Sequence, residues 1–199
     1  MRGEPDVTAT PPTSRLARPI ALVGLMGCGK TTVGGRLAGL LGAPFKDADA
    51  EIVAAAGMSI PEIFENLGEP AFRSGEERVI ARLLTEPPMI IATGGGAYMS
   101  DATRAAIREA GAAIWLHADL DTLLERTGRR DTRPLLKNGD PRKILSDLMD
   151  QRYPVYAEAD IRVESTASGA ADSVAEAIMT ALEAHDAAHP DRPILRDAA

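Results

Sequence analysis

The stretch "IALVGLMGCGKT", residues 20–31, joins an unbroken apolar run to a glycine-rich loop that ends in Lys-Thr. The run "IALVG" is typical of a strand buried on both faces of a sheet. The loop, Gly24 to Thr31, satisfies the pattern G-x-x-x-x-G-K-[ST], and apolar residues then recur at helical spacing until Gly42 closes the helix. Strand, loop and helix in this order predict a phosphate-binding loop.

Each residue type in this loop has a physical reason to be there. Glycines allow successive backbone N–H groups to converge on an anion, and the helix that begins near Lys30 adds the positive end of its dipole. We expect Lys30 to reach the β- and γ-phosphates of a nucleotide and Thr31 to offer its hydroxyl to magnesium. The predicted nucleotide-binding residues are Gly27, Cys28, Gly29, Lys30, Thr31 and Thr32.

Two other interpretations of the loop are less well supported. A dinucleotide-binding fingerprint needs a third glycine, whereas Gly29 is followed by Lys30, Thr31 and Thr32. A catalytic thiol at Cys28 would need an activating base, and none is apparent nearby in the sequence. We therefore interpret Cys28 as a small filler side chain in a phosphate loop.

The remainder of the chain alternates short apolar runs with amphipathic stretches. Apolar runs such as "MIIATGGG" (89–96) and "AAIWLHAD" (112–119) resemble "IALVG", and alternation of this kind predicts a parallel sheet covered by helices on both faces. Further strands are predicted at the end of "PFKDAD" (44–49) and at "IRVES" (161–165). Helices are predicted at 49–57, 60–67, 70–85, 119–127, around 144–149 and at about 169–184. The fold class is therefore α/β, in one domain over 19–184, with disordered segments at 1–18 and 185–199.

Composition limits what the chain can be. Its 199 residues fit one domain, and a single cysteine excludes an internal disulfide and suits a reducing cytoplasm. No apolar run approaches the roughly 20 residues of a membrane span, and the N-terminus has no apolar stretch of the secretory kind. A formal net charge of -7 argues against general nucleic-acid binding, because the phosphate backbone would repel the protein.

Polar residues follow three of the predicted strands. Besides the phosphate loop, Asp47 and Asp49 come after Phe45, and Gly94–Gly96 follow "MIIAT". Ligands of parallel sheets gather beyond the carboxyl ends of the strands, so we expect these groups to share one rim. Two aspartates two apart on a strand face the same side. Alternatively, Asp49 caps the next helix, and the glycines form a plain loop.

Two further polar positions leave more than one interpretation. Asp119 could be a magnesium aspartate, but we interpret it as the cap of the helix that begins there. Arg73, in "FRSGEE", has Glu76 and Glu77 as possible partners on a helix surface. From the residues alone, both a surface ion pair and a place in the site remain open for Arg73.

The stretch "RTGRRDTRPLL", 126–136, places four arginines in eight residues, and residues 126–152 carry eight Lys and Arg against four Asp. Like charges repel, so such crowding in an acidic chain predicts a bound anion rather than a solvated helix face. A kinase that excludes water during phosphoryl transfer needs a mobile lid, and Gly128 and Gly139 are candidate hinges for one. The chain lacks the D-x-x-G and N-K-x-D signatures of GTPases, which favours a small-molecule or nucleotide kinase.

Taken in order, "GLMGCGKT", "FKDAD", "FRSGE", "ATGGG", "RTGRRDTRPLL" and "QRYPVY" resemble the shikimate kinase family over residues 19–184. The resemblance implies a P-loop fold of the nucleoside monophosphate kinase type, with three α/β/α layers, a five-stranded parallel sheet of order 2-3-1-4-5 and a lid at about 126–140. It also implies transfer of the γ-phosphoryl group of ATP to the 3-hydroxyl of shikimate, with Mg²⁺, on the route to aromatic amino acids. A cytoplasmic monomer without nucleic-acid or membrane partners is expected.

The resemblance also implies roles for single residues. Asp49 would hold the shikimate hydroxyls and accept the proton of the nucleophile, while Asp47 would act on magnesium through water. Arg126 would lie against adenine, and Arg133 together with Lys30 would stabilise the transferring phosphoryl group. The implied shikimate-binding residues are Asp49, Arg73, Gly94, Gly95, Gly96 and Arg152, with the two arginines on the carboxylate.

Two alternatives stay open on the sequence. Kinases of gluconate or of nucleoside monophosphates share the loop, the sheet and the arginine lid, and gluconate is also a polyhydroxylated carboxylate. A nucleotide-sensing module without catalysis would keep the phosphate loop but would need neither Asp49 nor Arg152.

Overall fold

The computed structural model describes residues 14–128, 139–166 and 169–196. Its centre is a five-stranded parallel sheet of order β2-β3-β1-β4-β5, which confirms the predicted fold class and strand order. The strands are β1 (Ile20–Val23), β2 (Phe45–Asp47), β3 (Ile90–Ala92), β4 (Ala112–His117) and β5 (Ile161–Glu164).

Helices connect the strands and cover the sheet. They are α1 (Lys30–Leu41), α2 (Ala48–Ala56), α3 (Ile60–Thr85), α4 (Asp101–Ala110), α5 (Leu120–Gly128), α6 (Pro141–Tyr156) and α7 (Ala171–Ala188). The predicted helices 60–67 and 70–85 are the two arms of α3, which is kinked at Gly68, a residue with φ 81°. A capping box starts α3: Ser59 Oγ accepts from the Glu62 N–H at 3.4 Å, and Glu62 accepts from the Ser59 N–H at 2.8 Å.

The strand that leads into the phosphate loop, β1, lies in the middle of the sheet. β1 pairs with β3 and β4, and all four of its side chains are buried, as expected of a central strand. Helix α1 lies so close to β2 that a Cβ on Gly34 would be 2.5 Å from Phe45 Cε2. The start of α1 and the end of β2 meet at the same edge of the sheet, where Thr31 contacts Asp47.

The chain ends differ from the prediction. The expected disorder at 1–18 and 185–199 is wrong for residues 14–18 and 185–196: α7 continues to Ala188, and Leu16 and Leu195 form an antiparallel bridge. Both leucines are buried, so burial of apolar surface outweighs the weak local signal in these short segments. Residues 1–13 and 197–199 lie outside the described part of the chain.

Within the described ranges, no helix combines the length and the apolar character that crossing a membrane would require.

Candidate active site

The phosphate loop turns at glycines with positive φ. Gly24, Gly27 and Gly29 have φ values of 140°, 87° and 100°, which side chains disfavour. A Cβ on Gly24 would also lie 2.7 Å from Leu116 O, so the loop runs directly against β4. Helix α1 begins at Lys30, immediately after the loop. The predicted anion cradle, with its backbone turns and helix N-terminus, is therefore present.

Lys30 and Thr31 end the phosphate loop and line the cleft next to it. Lys30 Nζ donates to Gly24 O at 2.7 Å and to Leu25 O at 3.1 Å, which folds the side chain back over the loop. Thr31 Oγ1 donates to Asp47 Oδ2 at 2.8 Å, so two residues predicted to act on magnesium are in contact.

The oxygen pair of Thr31 and Asp47 suits Mg²⁺. Among the described residues, no three His, Cys, Asp or Glu side chains are grouped so that they could hold a metal ion. Mg²⁺ beside a nucleotide keeps several waters and uses only one or two protein oxygens together with the phosphates. A hydroxyl and a carboxylate at the edge of a phosphate cradle meet that requirement.

A serine that follows β5 and an arginine of α5 hold the backbone of the phosphate loop in place. Ser165, buried at the end of β5, donates to Cys28 O at 2.8 Å and accepts from Arg126 Nη1 at 2.9 Å. Arg126 Nη2 also donates to Thr166 O at 2.6 Å, so this guanidinium lies beside the loop and lines the cleft. The Cys28 side chain is buried, as expected for a filler. Ser165 was not found from the sequence, where it is only the last residue of the predicted strand 161–165.

Asp47 and Asp49 occupy different elements. Asp47 ends β2 and caps α2, because its carboxylate accepts from the Asp49 N–H at 3.1 Å. Asp49 lies in the first turn of α2, so the expectation that both aspartates lie on a strand is wrong, and the helix cap is Asp47 rather than Asp49. The Asp49 carboxylate faces the loop formed by Gly94, Gly95 and Gly96, called the glycine loop below: a Cβ on Gly94 would lie 3.0 Å from its Oδ1. Burial, and next the charge of Asp47, raise the pKa of Asp49.

Arg73 is both ion-paired and part of the cleft. Its Nη1 lies 2.8 Å from Glu76 Oε2 and its Nη2 lies 3.2 Å from Glu69 Oε1. Glu76 is only 2% exposed, and its other oxygen, Oε1, has no hydrogen-bond partner among the described residues. Burial raises the pKa of Glu76 against the opposing effect of Arg73. Arg73 is therefore ion-paired, but its pair with Glu76 lies inside the cleft rather than on a helix surface, and its role in substrate binding stays a prediction.

The glycine loop lies so close to Glu76 and Arg73 that side chains at Gly94 and Gly96 would not fit. A Cβ on Gly94 would overlap Glu76 Oε1, and a Cβ on Gly96 would overlap the Arg73 guanidinium. Arg152, from α6, donates to Gly95 O at 2.9 Å, and the Tyr156 hydroxyl donates to the same carbonyl. Glu76 and Tyr156 were not predicted as site residues, because their position in the site arises from contacts across the fold.

These groups line one cleft of about 1260 Å³, which continues past an apolar wall formed by Val53, Ile60, Phe64 and Phe72. Asp119 is not among its lining residues and accepts from the Thr122 N–H at 2.7 Å, as the predicted helix cap should. Arg133 and most of the predicted lid, residues 129–138, lie outside the described residues. The predicted residues that line the cleft are Gly27, Gly29, Lys30, Thr31, Thr32, Asp47, Asp49, Arg73, Gly94, Gly95, Gly96, Arg126 and Arg152.

A phosphate loop at the carboxyl edge of a 2-3-1-4-5 parallel sheet, facing a polar pocket in the same cleft, defines a P-loop kinase of the nucleoside monophosphate kinase type. A family model for shikimate kinase matches residues 26–183. The chain belongs to the shikimate kinase family.

Individual relatives agree with the family match. The chain is 56% identical over 170 residues to a shikimate kinase of Caulobacter vibrioides, covering 85% of this chain and 84% of the relative. It is 59% identical over 154 residues to one of Paramagnetospirillum magneticum, covering 77% and 79%. A solved shikimate kinase from Acinetobacter baumannii in complex with shikimate has a TM-score of 0.80 and 40% identity, over 84% of this chain and 93% of that one.

A gluconokinase from Sinorhizobium meliloti has a TM-score of 0.60 at 19% identity, which reflects the shared fold alone.

Proposed function

We propose that this chain is a shikimate kinase, which transfers the γ-phosphoryl group of ATP to the 3-hydroxyl of shikimate and releases shikimate 3-phosphate and ADP. The observation that carries the proposal is the joining of two sites in one cleft: the anion cradle at 24–31 and a pocket that contains Asp49, Arg73 and Arg152. A nucleotide-sensing module would not need the second site. We place the catalytic domain at residues 19–184, and the described residues 14–18 and 185–196 pack against it.

The two arginines suit a substrate carboxylate. The guanidinium is planar and can donate two parallel hydrogen bonds to a carboxylate. Arg73 is oriented by Glu76 and Glu69, and Arg152 is oriented by Gly95 O, so each guanidinium has a defined direction before the substrate arrives. Pre-oriented donors lose little conformational freedom on binding, which favours affinity for an acid such as shikimate.

Asp49 is suited to the role of general base. Its carboxylate lies beside the glycine loop, and burial raises its pKa, which increases its affinity for a proton. In the transfer step the 3-hydroxyl oxygen forms a bond to the γ-phosphorus, and the bond from that phosphorus to the β-γ bridging oxygen breaks. The hydroxyl proton passes to Asp49, and the electron pair of the broken bond stays on ADP.

The phosphate loop holds the donor. Lys30 exchanges its contacts with Gly24 O and Leu25 O for oxygens of the β- and γ-phosphates, where its charge stabilises the transition state. Thr31 and Asp47 would hold Mg²⁺, directly and through water. When bound, the ion neutralises charge on the phosphates. The roles of Arg126 against adenine and of Arg133 on the transferring group, within a lid that closes over the nucleotide, stay predictions from the resemblance.

The proposal is tested by measuring ADP release with ATP, Mg²⁺ and one acceptor at a time. Shikimate should stimulate ADP release strongly, whereas gluconate and AMP should leave it near the rate without acceptor. Chelating the metal should remove the stimulated rate. Stimulation by gluconate or AMP but not by shikimate would refute the proposal. A cytoplasmic monomer is part of the same proposal, and sedimentation of the purified protein tests its oligomeric state.

A further inference from the structure

The carbonyl oxygen of Gly95 accepts two hydrogen bonds from α6. Arg152 Nη1 donates to it at 2.9 Å, and the Tyr156 hydroxyl donates to the same oxygen. A carbonyl oxygen has two lone pairs, so these two donors satisfy it. A Cβ on Gly95 would lie 3.3 Å from Arg152 Nη1 and 3.7 Å from Gly24 O. Gly95 is therefore the point where α6, the glycine loop and the phosphate loop meet.

Tyr156 is held rigidly at this point. It is fully buried, and its ring packs against Trp115 and Tyr98 at centroid distances of 6.1 and 6.4 Å. It follows Arg152 by four residues on α6, so both side chains project from the same helix face. Burial raises the pKa of Tyr156, and the hydroxyl therefore keeps its proton and remains a donor.

This arrangement leaves Arg152 free to bind a ligand. A guanidinium has five N–H donors, and Gly95 O takes one from Arg152 while the Tyr156 hydroxyl, which also lies beside the Arg152 guanidinium, supplies the second hydrogen bond to that oxygen. Without the hydroxyl, Gly95 O would have an unused lone pair, and the glycine loop could shift relative to α6. The Arg152 guanidinium, which is held by Gly95 O, would then lose its defined orientation.

We propose that Tyr156 is a positioning residue for shikimate: its hydroxyl holds the Gly95 carbonyl, and through it the Arg152 guanidinium, in the orientation that binds the substrate carboxylate. This inference rests on the proposed function. It assigns Tyr156 to substrate affinity rather than to chemistry or to nucleotide binding.

The test compares two tyrosines of the same helix. Tyr156→Phe removes only the hydroxyl that donates to Gly95 O. Tyr153→Phe is a matched control, because Tyr153 also packs on Trp115, at 5.0 Å, and donates to a backbone carbonyl, but that carbonyl belongs to Ala118, which follows β4, and not to the glycine loop. We expect Tyr156→Phe to raise the shikimate KM about fivefold to tenfold, with ATP KM and kcat changed less than about twofold. Tyr153→Phe should leave the shikimate KM within about twofold of the wild type.

A double-mutant cycle tests the route through Arg152. In an Arg152→Lys background, Tyr156→Phe should produce no further rise in shikimate KM, because the side chain through which it acts has already been changed. Effects that multiply in the double variant would overturn the proposal.

Equal rises in both KM values for Tyr156→Phe, an unchanged shikimate KM, or the same rise for Tyr153→Phe would also overturn it. Melting curves of each variant show whether it is folded, and loss of the melting transition in Tyr156→Phe would make the role structural and the proposal wrong. The rate of ADP release by the wild-type enzyme with shikimate is measured first. If shikimate does not raise that rate, the proposed function is refuted instead.

Discussion

Replacing Asp49 by Asn removes a charge from the site while nearly preserving the shape of the side chain. If Asp49 accepts the proton of the 3-hydroxyl, kcat should fall by about 10²- to 10⁴-fold, the usual contribution of a positioned general base. ATP binding should change little, because the pair suited to magnesium is Thr31 and Asp47, whose oxygens are 2.8 Å apart. The change should therefore appear in kcat with shikimate rather than in the affinity for nucleotide.

The same substitution should stabilise the free enzyme near neutral pH. Burial, and next the charge of Asp47, raise the pKa of Asp49 above its ordinary value of 3.8, so the folded state binds this proton more tightly than the unfolded state. As pH rises from below 3.8 through the folded pKa, the unfolded state loses its proton first and the folded state loses stability. A pKa that is higher in the folded than in the unfolded state lowers the free energy of unfolding at neutral pH. Asn has no proton to lose and avoids this cost.

Thermal melting across a pH series measures the effect. A gain of about 1 kcal/mol moves the melting temperature of a chain this size by about 2–4 °C. The variant should melt a few degrees above the wild type near neutral pH, and the difference should shrink as pH falls through the folded pKa. Asp147→Asn is the control, because Asp147 is exposed and paired with Lys143, an arrangement that contributes little to stability.

Two results would refute this reasoning. A lower melting temperature of Asp49→Asn at neutral pH would show that the surroundings of Asp49 stabilise its ionised carboxylate rather than disfavour it. A loss of ATP affinity as large as the loss of kcat would place Asp49 in the metal site.

Three further changes separate the nucleotide site from the scaffold. Lys30→Ala should lower kcat by about 10³-fold or more while the melting temperature stays near that of the wild type, because the hydrogen bonds of Lys30 Nζ within the described ranges go to Gly24, Leu25 and Cys28 of its own loop. Ser165→Ala should raise the ATP KM several-fold and leave the shikimate KM unchanged, because Ser165 joins the phosphate loop to Arg126. Leu16→Ala should lower the free energy of unfolding by about 2–5 kcal/mol, measured by urea denaturation, without altering either KM.

Matched controls exist for these variants. Lys143→Ala removes an exposed lysine and should keep full activity. Leu40→Ala removes a leucine that is 50% exposed and should cost less than about 0.5 kcal/mol. A modest loss of kcat in Lys30→Ala, an unchanged ATP KM in Ser165→Ala, or an unchanged stability in Leu16→Ala would contradict the corresponding prediction.

Local sequence signals were sufficient where the structure depends on neighbours in the chain. The phosphate loop needs residues that tolerate positive φ, a helix start and a preceding buried strand, all within residues 20–41, and the structure confirms each of them. The cap at Asp119 and the end of α1 at Gly42 are equally local. The resemblance added the strand order, which no short stretch contains.

The sequence misplaced or missed residues whose environment comes from elsewhere in the chain. A carboxylate can end a strand or start a helix, so only the structure placed Asp47 at the cap and Asp49 inside α2. Glu76 looked like a surface partner of Arg73, but the approach of the glycine loop buries it. Leu16 carried no periodicity, yet it is fully buried beside Leu195.

By itself, the sequence determined the kind of anion site, the α/β class and the polar groups at three strand ends, because these follow from torsional preference, periodicity and motif. The resemblance supplied the arginines of the cleft. Only the tertiary structure revealed the hydrogen bonds that hold the loops of the cleft in position. The Tyr156 hydroxyl meets a carbonyl 61 residues away, and Ser165 meets one 137 residues away. Such contacts arise from the packing of β5 and α6 against the loops, and a hydroxyl in the sequence does not indicate which distant carbonyl it will meet.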